Sequence, residues 1–356
     1  MRVVFVQKFV PHYRLPFFER VKEILAERNI EFVLLYADPD PYEASKVRMV
    51  QPEWGINLRT RHFSLAGRYL YWTGVARHLK RGDFVVVEHA AKLLDNYVIF
   101  AARQFGYLKM GYFGHGENFQ ATTEYRLSAW LKKVMLNVDR WFAYTEVSRS
   151  SLLKQSVDDN RITVVNNTLE QSTNAHLGNN PPSPNSCVFV GGMYDLKFLP
   201  LLLDASDIVA SKVSDFQLHL VGDGPERAAM DEAARSRPWL HVHGSLYGLD
   251  RDKMLAQSCA ILMPGLVGLI AIDSFQFSRP LITSDAGEHS PEIAYLTNGE
   301  NCLIDTGKVT AASYADLIIH YLGDPELQQK LMQGCRNSNE LYSLENMARN
   351  FCNALS

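Results

Sequence analysis

The residue types most able to do chemistry lie in one segment, PGLVGLIAIDSFQFSRPLITS, from Pro264 to Ser284. A short apolar run ending at Met263 reads as a buried strand, and a small-residue loop leads into a helix beginning near Gly268. The first N–H groups of a helix have no intrahelical partner and the helix dipole is positive at that end, so such a turn holds anions. Asp273 lies further along the same helix, where its carboxylate can accept hydrogen bonds from ribose hydroxyls. The plainer account is an ordinary strand-to-helix corner with glycines for close packing.

Other segments offer polar groups just after apolar runs. YFGHGENF (Tyr112 to Phe119) carries His115 between two glycines, which let the backbone turn sharply and aim the imidazole, with Glu117 close behind. PHYR (Pro11 to Arg14) follows the first apolar run, and Arg14 suits an anionic group such as a phosphate. VGDGPER (Val221 to Arg227) has glycines for a tight turn and Pro225 to start a helix, but no third glycine at the dinucleotide-binding spacing. His241 and His243 share one face of a strand. With no Cys, Asp or third His near them in sequence, they read as a core or surface pair and not a metal site. Asp38-Pro39-Asp40 imitates a D-x-D metal motif but reads as a turn among prolines, and no Ser-His-Asp, H-E-x-x-H or P-loop arrangement is present.

These segments must be positioned by the elements between them. Apolar runs at 2–6, 31–36, 84–89, 108–116, 141–145 and 162–167 alternate with helical patterns, among them one opening at Pro16, one from Asn96 to Phe105 and one around Ala129 to Asn137. Residues 170–186, EQSTNAHLGNNPPSPNS, carry no periodic apolar pattern and read as a linker. The rhythm then restarts with runs at 187–192, 216–224, 240–244, 259–265, 280–285 and 301–305. Short apolar strands alternating with helices indicate parallel sheets covered on both faces, so the pattern predicts two doubly wound Rossmann-like α/β domains. Ligands of such sheets bind beyond the carboxyl ends of the strands.

The chain has 356 residues, 47% of them hydrophobic and 21% charged, enough for two real cores. Five scattered cysteines without C-x-x-C spacing fit reduced thiols better than disulfides or zinc. No apolar stretch reaches the ~20 residues of a membrane span, and Met1 to Phe9 does not read as a signal peptide, which suggests a cytoplasmic protein. Residues 1–168 carry 24 basic against 17 acidic side chains, and the remainder 12 against 22. A basic first half facing a membrane surface or acidic acceptor is one reading, and acidic solvent-facing helices in the second half are the other. Arg59 to Asp83 interleaves Arg59, Arg61, Arg68, Arg77, Lys80 and Arg81 with Tyr69, Tyr71 and Trp72. It reads either as an element lying on anionic lipid or, more plainly, as an ordinary helix with core aromatics and solvated arginines.

The motifs taken together resemble the retaining glycosyltransferases of the two-Rossmann GT-B fold, in the group containing many bacterial polysaccharide and lipopolysaccharide transferases. That family carries Glu-x7-Glu around a Gly-x-Gly-Leu core. Here Gly268-Leu269 match the Gly-Leu, Asp273 takes the place of the second Glu, and the first Glu falls on Gly265. FVGGMYDLK (Phe189 to Lys197) resembles the family's F-V-G-R-L-x-x-x-K, keeping Lys197 but with Gly192 where the Arg would stand. HVHGSLYG (241–248) matches the place where the family holds the nucleotide base.

The resemblance implies two facing domains with a cleft between them: residues 1–169, joined by a returning helix within 340–356, and residues 187–339. It also implies a sugar-nucleotide donor of UDP or GDP type, a glycan or lipid-linked acceptor, and no cofactor, metal or nucleic acid. Lys197 would stabilise the leaving diphosphate and His115 would orient the donor sugar. Gly191, Gly244, Leu246, Val267, Gly268, Leu269 and Asp273 would bind the donor, and Arg14 and Glu117 would face the acceptor. Because Gly192 and Gly265 depart from the family, a catalytically silent nucleotide- or glycan-binding protein is the alternative, and an epimerase or phosphorylase of the same architecture is a third reading.

Overall fold

The computed structural model describes residues 1–38, 49–58, 61–65, 68–90, 92–116 and 135–355. The chain divides into two compact units, Met1–Glu170 with Leu344–Ser356, and Gln171–Ser343.

The first unit is built on β1 (Arg2–Gln7), α1 (Leu15–Glu27), β2 (Glu31–Ala37), β3 (Ile56–Leu58), β4 (Arg61–Leu65), β5 (Arg68–Trp72), β6 (Phe84–Glu88), α2 (Asp95–Gln104), β7 (Lys109–Gly114), β8 (Arg140–Ala143), α3 (Glu146–Lys154) and β9 (Ile162–Val164). Seven strands form one parallel sheet in the order β3-β2-β1-β6-β7-β8-β9. Val3 and Phe5 join Leu34 and Tyr36 in one buried cluster, whereas Val4 joins Leu35 and Val85 in a second. Side chains alternate across a strand, so a sheet that buries both sets is covered on both faces. The helix expected around 129–137 lies mostly outside the described residues.

The described residues of the stretch from Arg59 to Asp83 do not form the expected helix. β4 and β5 pair antiparallel, Arg61 opposite Trp72 and Leu65 opposite Arg68, and a 3₁₀ turn follows at Val75–His78. RHFSL and RYLYW are rich in aromatic residues, which fit a pleated surface, and cross-strand pairing outweighs the helical spacing read from the sequence. Tyr71 exchanges backbone hydrogen bonds with Lys92 and Leu94 at 2.9 Å each. Buried Asp95, at the start of α2, accepts from the amides of Thr73, Gly74 and Val75 at 2.6, 3.0 and 3.2 Å. Arg77, Lys80 and Arg81 are exposed.

The second unit comprises β10 (Ser186–Val190), α4 (Leu199–Lys212), β11 (Gln217–Val221), α5 (Arg227–Ala234), β12 (Leu240–Gly244), α6 (Gly248–Gln257), β13 (Ala260–Met263), α7 (Ile270–Gln276), β14 (Leu281–Ser284), β15 (Cys302–Asp305), α8 (Ala311–Gly323) and α9 (Pro325–Leu341). Its six strands are parallel, in the order β12-β11-β10-β13-β14-β15. Strand order therefore reverses between β10 and β13.

Residues 171–186, expected as part of a linker, pack onto this unit. Ser172 donates from its amide to Gln276 and from its hydroxyl to Asp252, at 2.9 and 2.6 Å. Arg279, fully buried, donates to the carbonyls of Gly178, Asn180 and Ala256 and so pins the segment from beneath. A polar stretch without apolar period can still be fixed when its backbone carbonyls satisfy a buried guanidinium.

The final helix, α10 (Leu344–Asn353), belongs to the first unit. Its Met347, Ala348, Phe351 and Cys352 enter the cluster with Phe17, Val21 and Ile24 of α1. Phe351 lies 4.5 Å from Phe142 and 5.7 Å from Phe17, centroid to centroid.

Candidate functional site

In a doubly wound sheet the two connections that leave a reversal point diverge, opening a crevice at the carboxyl ends of the strands. In the second unit those connections are Gly191–Lys197 after β10 and Pro264–Leu269 after β13. They contain Gly191, Lys197, Val267, Gly268 and Leu269 of the residues singled out from sequence, and the structure brings the two connections together.

Lys197 is the link. It ends a 3₁₀ turn, is only 7% exposed, and donates from Nζ to the Leu266 carbonyl. The chain folds the lysine inward across the reversal point, so it is not a solvated surface group. Burial pushes its pKa down from 10.5 to about 8. Its ammonium is thus held where desolvation penalises charge, an arrangement that favours a nearby anion.

Gly265 lies against this segment. A Cβ there would come within 2.2 Å of the Leu196 carbonyl and 2.8 Å of Lys197 Cα. No side chain fits, so the glycine at the expected glutamate position follows from the path of residues 196–197. Gly192, where an arginine was expected, has the Tyr194 ring above it, 2.8 Å from a built Cβ.

The turn itself is divided. The amide of Leu266 donates to Leu196 O at 2.8 Å, and that of Val267 to His289 Nδ1 at 3.1 Å. Among the described residues, the amides of Gly268, Leu269 and Ile270 donate to no protein acceptor. The helix starts at Ile270, two residues later than expected. The open donors therefore come from Gly268 to Ile270, and Val267 is already engaged. His289 has no counterpart among the residues chosen from sequence. It sits after β14 in no recognisable motif, and only the fold delivers it here.

Asp273 lies on α7, 6% exposed, with its carboxylate paired to Arg251 of α6. Burial raises its pKa, opposed by Arg251. Arg251 also approaches Asp252 at 3.4 Å, so one guanidinium serves two carboxylates. This partner too is unseen in sequence, 22 positions away in a different helix.

Gly222 and Gly244 meet at the ends of β11 and β12, where the Gly222 amide donates to Gly244 O at 2.8 Å. Gly244 has φ +73°, and a Cβ on it would touch Arg227 Nη1 at 2.6 Å. Leu246 follows, half-buried, and Tyr247 is exposed. The pair His241 and His243 gains a third histidine, His219, whose Nδ1 lies 2.9 Å from His243 Nε2. The register of β11 with β12 supplies it. Among the described residues no cluster of His, Cys, Asp or Glu is arranged to hold a metal ion.

In the first unit, His115 follows β7 with its ring 4.4 Å from Tyr144. Burial, with Arg14 nearby, lowers its pKa to about 4, so the ring is neutral. Gly116 has φ +74° and Leu152 packed on it, which makes glycine necessary beside the histidine. Arg14 is 6% exposed, donating to Asn167 Oδ1 at 2.8 Å and to Met347 Sδ of α10. The rings of Tyr13, Phe17, Phe113 and Tyr144 surround its guanidinium at 5.6–5.9 Å. It fastens α10 to the sheet. Glu117 lies outside the described residues, as does most of Asp38-Pro39-Asp40, of which Asp38 accepts from Asn57 at 3.0 Å.

Residues 184–324 match the family model for glycosyl transferases group 1. No curated protein matches the sequence. Among solved structures, Anabaena Alr3699/HepE in complex with UDP superposes with a TM-score of 0.72 at 11% identity, over 100% of this chain and 99% of that one. The lipopolysaccharide outer core galactosyltransferase WaaB does so at 0.70 and 14%, over 100% and 99%. A mutant of S. aureus TarM in complex with fondaparinux, alpha-GlcNAc-glycerol and UDP gives 0.66 and 12%, over 100% of both chains. At these identities the likeness is one of fold.

Proposed function

We propose that this chain, which has the GT-B fold and matches the glycosyl transferases group 1 model over residues 184–324, is a glycosyltransferase that transfers a hexose from a UDP or GDP sugar to a glycan or lipid-linked acceptor, with retention at the anomeric carbon. The setting is cell-surface polysaccharide synthesis on the cytoplasmic side of the membrane. No helix among the described residues is long and apolar enough to cross one. The exposed Arg77, Lys80 and Arg81 are suited to peripheral contact with anionic lipid.

One observation carries the reading. The buried Lys197 ammonium and the open amides of Gly268, Leu269 and Ile270 belong to the two connections that flank the reversal point of a parallel sheet. As the bond between the anomeric carbon and the diphosphate oxygen breaks, negative charge builds on the departing oxygens. Donors already fixed in place stabilise that charge without reorganising, each worth ~3–4 kcal/mol. The acceptor hydroxyl bonds to the anomeric carbon, and its proton leaves with the nucleoside diphosphate. Asp273, steadied by Arg251, would take the ribose, the turn after Gly244 the base, and His115 a sugar hydroxyl. The charge of Lys197 takes the place a metal would fill.

The test is calorimetric titration with UDP and GDP, paired with an assay of donor hydrolysis with and without EDTA. Binding of one diphosphate with hydrolysis undiminished by EDTA is expected. Binding without hydrolysis or transfer would favour a silent nucleotide-binding protein, and no binding of either would overturn the reading.

A further inference from the structure

The segment Asp285–Ser290, which follows β14, grips the Pro264–Leu269 turn at two points. His289 Nδ1 accepts from the Val267 amide at 3.1 Å, while its Nε2 lies 2.9 Å from the Ser284 carbonyl. The Ser290 amide donates to the Val267 carbonyl at 2.9 Å. A carbonyl can only accept and an amide N–H can only donate. The imidazole is therefore neutral, with its proton on Nε2 and a lone pair on Nδ1. Both ring nitrogens are committed, and both neighbours are backbone groups that cannot exchange roles.

From this geometry we infer that His289 is a positioning residue: its neutral ring latches the Val267 amide and so orients the following amides of Gly268, Leu269 and Ile270 toward the diphosphate, and its protonation releases the latch. The inference rests on the reading of that turn as the diphosphate site. A proton on Nδ1 would set two donors face to face at Val267, and the turn must then open or rotate. Two charged groups bear on the ring. Lys197 opposes its protonation and Asp285 favours it, while burial is the largest influence and also keeps it neutral. Because protonation opens the turn that holds the diphosphate, a bound diphosphate in turn favours the neutral ring, and binding weakens as pH falls through the ring's titration.

The experiment uses the full chain and three proteins, wild type, His289→Asn and His289→Ala. Hydrogen exchange of the peptide covering 262–270, corrected for intrinsic rate, reads the latch without any ligand. Protection in the wild type should hold from pH 7.5 down to about 6.5 and fall only below that, because burial keeps the ring's pKa under the ordinary 6.5. His289→Asn, whose Oδ1 can accept from Val267 but cannot titrate, should hold its protection throughout. His289→Ala should lose it at every pH, by about tenfold in exchange rate. Titration with UDP and GDP should follow the same order. Protection that is equal in all three proteins and insensitive to pH would overturn the inference. A latch that behaves as described in a protein that binds neither diphosphate would leave it standing and overturn the proposed function.

Discussion

At the residue scale, Lys197 is the group whose role follows most directly from its surroundings. It keeps a charge in a site that has pushed its pKa down to about 8. A group whose charged form is disfavoured in the folded state lowers stability below that pH, so a neutral side chain of similar length relieves the cost. Lys197→Met should therefore unfold no earlier than the wild type in a thermal melt, while its transfer rate falls by roughly 100-fold. A melt lowered by several degrees with activity intact would make the lysine a structural residue. In the wild type, activity should decline as pH rises through about 8, where the ammonium is lost. The position of Lys197 was legible because it follows a strand at a recognisable spacing. Its burial was not, since nothing in the sequence says that residues 195–197 turn inward.

At the element scale, α10 shows how little of a helix's importance its own sequence reveals. Its spacing of Met347, Phe351 and Leu355 marks an apolar face, and the first unit supplies the surface that covers it. Phe351 is fully buried among Phe5, Phe17, Phe113 and Phe142. Truncating such a ring costs about 3–5 kcal/mol. Phe351→Ala should shift the denaturant midpoint of the first unit down by that equivalent, and a change below ~1 kcal/mol would mean that the helix is not seated there in solution. The hairpin β4–β5 teaches the opposite lesson. Helical spacing in Arg59 to Asp83 gave way to strand pairing fixed by Tyr71 with Lys92 and Leu94, and by Asp95. Those partners lie about 20 residues on, outside any window in which periodicity is read.

At the scale of the whole molecule, stability should depend on pH through His115 and the half-buried His219. Burial lowers both His115 and His219 from 6.5 to about 4, and in each case desolvation is the first cause. The unfolded chain takes up protons near 6.5 while the folded chain refuses them until about 4. Their contribution is thus complete above about 6.5 and disappears as pH falls toward 4. His115, largely buried, accounts for up to about 3 kcal/mol of this. A thermal midpoint that is flat from pH 7 to 4.5 would contradict it, and His115→Gln should remove part of the slope.

The sequence by itself determined the parallel α/β architecture and its strands apart from β3, β4 and β5, because a buried strand of a parallel sheet is a short unbroken apolar run, which the three-residue edge strand β3 is too short to show. It also placed the glycines and Lys197 after strands, where such sheets present their loops. Only the tertiary structure decided which groups meet there. Arg251 on Asp273, His289 on Val267 and the backbone of Leu196 against Gly265 join residues from separate crossovers. Strand order brings those crossovers side by side, and no local pattern encodes an order that reverses between β10 and β13. Hydrogen-bond partners chosen across such a reversal depend on distances in space, and these become definite only once the sheet has formed.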